Sequence, residues 1–140
     1  MGDKPHLYLV HGSAYIFRAY HRLPPLTDPE GTPVGAVYGY TTMLWKLAEQ
    51  SQASHFGASP TYVQLMESNQ VVPKQHYALD KLTTVLVGGS PSIPSTFAWF
   101  YQNVKEELWV TSQSGGTEIA SAFVAATPTQ PGYAAEIQAR

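Results

Sequence analysis

The chain has 140 residues, of which 44% are apolar and 13% charged, with a formal net charge of −2 and no cysteine. A chain of that length buries about two-thirds of its unfolded surface in a core, and this composition is that of a folded protein. The 8 basic residues are scattered, so no cluster releases counterions from a phosphate backbone, and DNA is not an expected partner.

The absence of cysteine rules out disulfides, thiolate metal sites and thiol nucleophiles, and it fits a cytoplasmic location. No apolar run approaches the roughly 18 residues of a membrane span, and Met1 to Pro5 has no signal-peptide character, so a membrane is not an expected partner.

Leu7 to Val10 is a short apolar run that reads as a strand turning at His11-Gly12-Ser13, with Ser13 capping a helix through about Tyr20. Leu23-Pro24-Pro25-Leu26 cannot be helical, and Asp28-Pro29-Glu30-Gly31 is a turn signal. Thr32-Pro33 then pairs a cap with a proline in the first turn. The helix it opens runs to about Gln50, with Val34, Val37, Tyr38, Thr41, Leu44, Trp45 and Ala48 on one face.

Ser54 to Gly57 reads as a short strand, and Ser59-Pro60 opens a helix through about Ser68. Thr83 to Val87 is a buried strand ending at Gly88-Gly89. A helix from about Ser95 points Phe97, Phe100, Tyr101 and Val104 inward, and Leu108 to Thr111 is a further strand. Ile119 to Ala125 and Ala134 to Gln138 have strand character and are expected to pair around the Pro128 to Pro131 loop.

Alternating strands and helices place the chain in the α/β class: one domain over residues 1–140, with a three-layer, Rossmann-like, mostly parallel open sheet and a C-terminal β-hairpin. Such sheets bind ligands beyond the carboxyl ends of their strands. Those ends are His11-Gly12-Ser13, Gly57-Ala58-Ser59, Gly88-Gly89-Ser90 and Ser114-Gly115-Gly116; small polar residues there also simply build turns.

Two chemistries deserve a test against the structure. A small Ser/His hydrolase of esterase or lactonase type would draw on His11, Ser90 and Ser114, although no Gly-x-Ser-x-Gly elbow is present. A metal site would draw on His11, His55 and Glu118, at spacings that match no zinc pattern.

Two stretches resemble known families. Leu7-Tyr-Leu-Val-His-Gly-Ser-Ala-Tyr-Ile-Phe-Arg-Ala-Tyr-His21, Leu23-Pro-Pro-Leu26, Gly31-Thr-Pro-Val-Gly-Ala-Val-Tyr-Gly-Tyr40 and Met43-Leu-Trp-Lys-Leu47 resemble the start of the 5′ nuclease domain of bacterial DNA polymerase I. In that family the first strand ends in Asp-Gly-Ser, and the aspartate helps to hold divalent metals; here the position is His11. Two-metal hydrolysis needs several carboxylates around ions about 4 Å apart, so the resemblance implies ancestry without nuclease activity.

From about His55 the resemblance changes. His55-Phe-Gly-Ala-Ser-Pro60, Leu82 to Pro91, Ser114-Gly-Gly-Thr-Glu-Ile119 and Glu136-Ile-Gln138 resemble adenylate-forming acyl-CoA ligases of the acetoacetyl-CoA synthetase type. By that likeness Gly88, Gly89, Ser90 and Pro91 would lie near adenine, Thr117 would contact phosphate and Glu118 would assist magnesium. The family's phosphate loop, ribose-binding aspartate and catalytic lysine have no counterpart here, so the reading is a folded protein with no cofactor and no intact inherited activity, with weak binding of ATP or AMP with magnesium as the alternative and the most that the resemblance implies.

The sequence thus reads as a chimera, nuclease-like over residues 1–50 and ligase-like over 55–140, joined at about 50–55. Strand edges and apolar faces that once met other partners are expected to drive homo-oligomerisation.

Overall fold

A computed structural model describes residues 27, 31, 35–119 and 121–137. The strand expected at Leu7 to Val10, His11 and the Thr32-Pro33 cap lie outside the described residues. The chain forms two compact units, Met1–Met43 and Leu44–Arg140.

In the first unit the described residues are chiefly the opening turns of helix α1 (Gly35–Gln50). Thr41 is buried, whereas Tyr38, expected on the inner face, is 48% exposed.

The second unit begins within α1 and continues through β1 (His55–Ala58), α2 (Pro60–Ser68), β2 (Thr84–Val87), α3 (Pro94–Asn103), β3 (Trp109–Ser112), β4 (Ser114–Gly116) and β5 (Ser121–Val124). Its first three strands form a parallel sheet in the order β1-β2-β3. Each parallel step needs a crossover helix, supplied by α2 and α3, which touch each other and so cover the same face of the sheet. Among the described residues no helix is long and apolar enough to cross a membrane.

Local chemistry explains the helix ends. Ser59 caps α2 by accepting from the Tyr62 amide at 3.2 Å, ahead of Pro60 in the first turn, as the Ser-Pro pair implies. Both α1 and α2 close with a glutamine in the left-handed region, Gln52 at φ 49° and Gln70 at φ 54°. The amides that follow reach back to the helix, Ala53 to the Ala48 carbonyl and Val71 to the Met66 carbonyl, each at 2.9 Å.

The register puts Phe56, Val85 and Val110 side by side, alternating with Gly57, Leu86 and Thr111 on the opposite face. Trp45 of α1 stacks on Phe56 with ring centroids 4.3 Å apart and donates from Nε1 to Met66 Sδ of α2 at 3.1 Å. Trp45, Met66, Val85, Val87 and Phe100 are completely buried. Lys105 Nζ pins the approach to β2 by donating to the carbonyls of Asp80 at 2.9 Å and Leu82 at 3.0 Å.

Two side-chain and pairing expectations need correction. Phe97 and Phe100 in α3 and Val104 just after it are buried as expected, but Tyr101 is 37% exposed, while Thr96 and Trp99 are also buried. The hairpin pairs β5 with β4, not with residues 134–137, where Ala134 and Ala135 form a turn. The physical reason is Gly115: a Cβ there would strike the Ser121 carbonyl oxygen and come within 2.7 Å of Ala122 Cα, so only glycine lets β5 lie this close.

Candidate functional site

The carboxyl rim of the parallel sheet opens into a cleft of about 490 Å³. β1 contributes Gly57 and Ala58, β2 contributes Leu86 followed by Gly88 and Gly89, and the β4–β5 hairpin contributes Gly115, Gly116, Ser121 and Ala122. Gln113, between β3 and β4, completes the lining.

The walls are mostly backbone. Gly88 donates its amide to the Ala58 carbonyl at 3.1 Å, and Gln113 donates its amide to the Val87 carbonyl at 3.0 Å, which extends the sheet ladder into the rim. Gly89 has φ 90°, a conformation that side chains disfavour, so the turn after β2 calls for glycine. Glu118 follows the hairpin's first strand, and its Oε2 lies 2.8 Å from the point a Cβ on Gly116 would occupy. None of the described lining residues carries a charge, and the Glu118 carboxylate lies beside the cleft.

Of the residues expected near a nucleotide, the cleft therefore gathers Gly88 and Gly89 with Glu118 alongside. Ser90 and Pro91 are exposed beyond the lining, and the Thr117 side chain lies outside the described residues. Leu86, Gln113, Ser121 and Ala122 were not singled out from sequence. Gln113 directly follows a strand, which was the available signal; Ser121 and Ala122 arrive only through the fold-back over Gly115.

The hydrolase and metal groupings do not assemble among the described residues. Ser90 and Ser114 are exposed at the carboxyl rim. His55 starts β1, at the opposite end, and binds Ser54 Oγ at 2.8 Å. Three strand steps separate the two ends by roughly 10 Å, so His55 reaches neither serine nor Glu118. His11 is outside the described residues, and among those described no three His, Asp or Glu side chains form a metal-holding group.

The family model of the 5'-3' exonuclease N-terminal resolvase-like domain matches residues 6–60. DNA polymerase I of Rhizobium leguminosarum is 51% identical over 59 residues, covering 41% of this chain and 6% of that protein. Acetoacetyl-CoA synthetase of Danio rerio is 34% identical over 98 residues, covering 70% of this chain and 15% of that protein. The two resemblances fall on different but overlapping parts of the chain.

The solved acetoacetyl-CoA synthetase from Streptomyces lividans superimposes with a TM-score of 0.63 at 34% identity, over 70% of this chain and 16% of that one. Over that share of the chain the protein thus has the fold of the matching part of the synthetase, and the exonuclease-like match, residues 6–60, runs through α1 and β1. The two matches cover 41% and 70% of the chain, so they overlap, and the overlapping residues satisfy both families at once. The chain spans only 6% and 15% of these relatives' own lengths.

Proposed function

We propose that this polypeptide is a recombined, folded α/β module without intact catalytic activity from either ancestor, which keeps a weak adenine-nucleotide site at its rim cleft. The observation that carries the reading is the make-up of that cleft: among the described residues it is lined by glycine backbone and one carboxamide with one nearby carboxylate, and none of those lining residues is cationic. Phosphoryl and adenylyl transfer depend on positioned positive charge around the reacting phosphates, and a neutral rim does not supply it. On this reading Gly88, Gly89, Ser90 and Pro91 border the base, Thr117 and Glu118 border phosphate and magnesium, and ATP or AMP with Mg²⁺ is a ligand that is not turned over.

The test has two arms. Purified chain incubated with flap-bearing DNA and Mg²⁺, or with acetoacetate, ATP and coenzyme A, is expected to yield no product above buffer; turnover in either assay overturns the non-catalytic reading. ATP–Mg²⁺ titrated to millimolar concentration is expected to move the backbone amide signals of Gly88, Gly89, Gly115 and Gly116, and silence there removes the binding site.

Homo-oligomerisation belongs to the same proposal. Phe123 is 68% exposed and Tyr133 62% exposed, and no charged residue occurs from 119 to 135 to discourage like-with-like contact. Light scattering should show mass rising with concentration; a constant monomer mass would refute the association.

A further inference from the structure

Helix α2 starts at the rim, directly after β1, and ends away from it with a charge that its own backbone opposes. Glu67 stands in the last turn, where the helix dipole gathers about half a negative charge, and that turn holds no basic residue. A carboxylate there is repelled by its helix. A cation beside it is attracted twice, by the side chain and by the helix end.

Glu67 also borders a cavity. A space of about 320 Å³ lies between the end of α2 and the length of α3, at the small end of the roughly 300–1,000 Å³ of small-molecule sites. Its described lining shares no residue with that of the rim cleft. Val71 and Trp99, both buried, give it an apolar base, and Glu67, Gln70 and Gln102 stand exposed around its mouth.

Asn103, also in the lining, donates its side-chain amide to the Trp99 carbonyl at 3.0 Å, which leaves its own carboxamide oxygen to accept. The mouth therefore sets one full negative charge among side chains that offer carbonyl oxygens, over an apolar base. That combination suits an ammonium group, whose three hydrogens need acceptors, carried on a short apolar stem.

We infer that the α2–α3 cavity is a binding site for a small primary-ammonium ligand, with Glu67 as its counter-charge. The site stands whether or not the rim cleft binds a nucleotide. Glu67 and the end of α2 attract the cation, the carboxamide oxygens accept its hydrogens, and Val71 and Trp99 receive the stem.

The experiment titrates butylammonium chloride, its uncharged match 1-butanol and its N–H-free match butyltrimethylammonium chloride into the whole chain at neutral pH and constant ionic strength. It follows the backbone amide signals of Gln70, Val71 and Gln102 and the indole N–H of Trp99. Butylammonium should half-saturate these shifts at about one-tenth of the butanol concentration. Glu67→Gln keeps the side chain's polarity and removes its charge, and should cut that preference to about threefold, the share the helix end supplies. Butyltrimethylammonium should bind more weakly than butylammonium, because it brings charge without donors.

Equal affinity for butylammonium and butanol overturns the cationic preference, and an undiminished preference in Glu67→Gln overturns the role of Glu67. Equal affinity for the two cations overturns the assignment to a primary ammonium. Silence with every probe removes the site. Because Glu67 is exposed and its charge opposes its helix, the variant's remaining spectrum should overlay wild type and its thermal midpoint should not fall.

Discussion

The helix-covered face of the sheet and its carboxyl rim are built from different materials. On the covered face Trp45 stacks on Phe56 and donates to Met66, and the neighbouring large side chains are wholly buried. At the rim five glycines, two alanines and a lone carboxamide surround an open cleft beside a single carboxylate. Packing is satisfied by whichever neighbours the chain itself provides. Transition-state stabilisation needs several groups drawn from distant parts of a chain to the same few ångströms, which is why the proposed function has the rim bind without turnover.

The comparison is broken most severely at Trp45. Trp45→Ala empties a completely buried site against Phe56 and Met66, and should cost about 3–5 kcal/mol in urea unfolding. A loss below about 1 kcal/mol would mean that the end of α1 packs independently of the sheet.

Gly115→Ala comes next and acts on the rim alone. Its methyl collides with the backbone of Ser121 and Ala122, so about 1–3 kcal/mol should be lost, with the β4–β5 cross-strand contacts disappearing while those of β1–β3 persist. Retention of both sets of contacts would contradict the close approach.

Ser59→Ala removes the side-chain cap of α2 and should cost about 1 kcal/mol, read from thermal unfolding. The smallest change runs the other way. Gln70→Gly relieves a left-handed φ of 54° at the end of α2 and should stabilise by about 0.5–1 kcal/mol. A destabilised Gln70→Gly would show that the glutamine side chain contributes more than its backbone costs.

The contrast between face and rim also separates what the sequence discloses from what it hides. Ser59-Pro60, the apolar run through Val87 and the Phe97–Phe100–Val104 spacing are local signals, and each produces the expected element. The ends of α1 and α2 carry no such signal, because their left-handed positions hold glutamines and not glycines.

The hairpin eluded the pattern for a different reason. Strand character at 119–125 was legible, but its partner is fixed by how near Gly115 lets another backbone come, which no periodicity encodes. The rim was half legible: Gly88, Gly89 and Glu118 came from family likeness, whereas Gln113 and Ser121 emerge only once strand register and fold-back are known.

The central claim is that the end of α1 and the parallel sheet form one core. Native-state hydrogen exchange at the amides of Ala48 in α1 and Val85 in β2 tests it directly. Equal opening free energies, both near that of global unfolding, are the result predicted for a shared core. Exchange of Ala48 through a far smaller opening, with Val85 still protected, would contradict it.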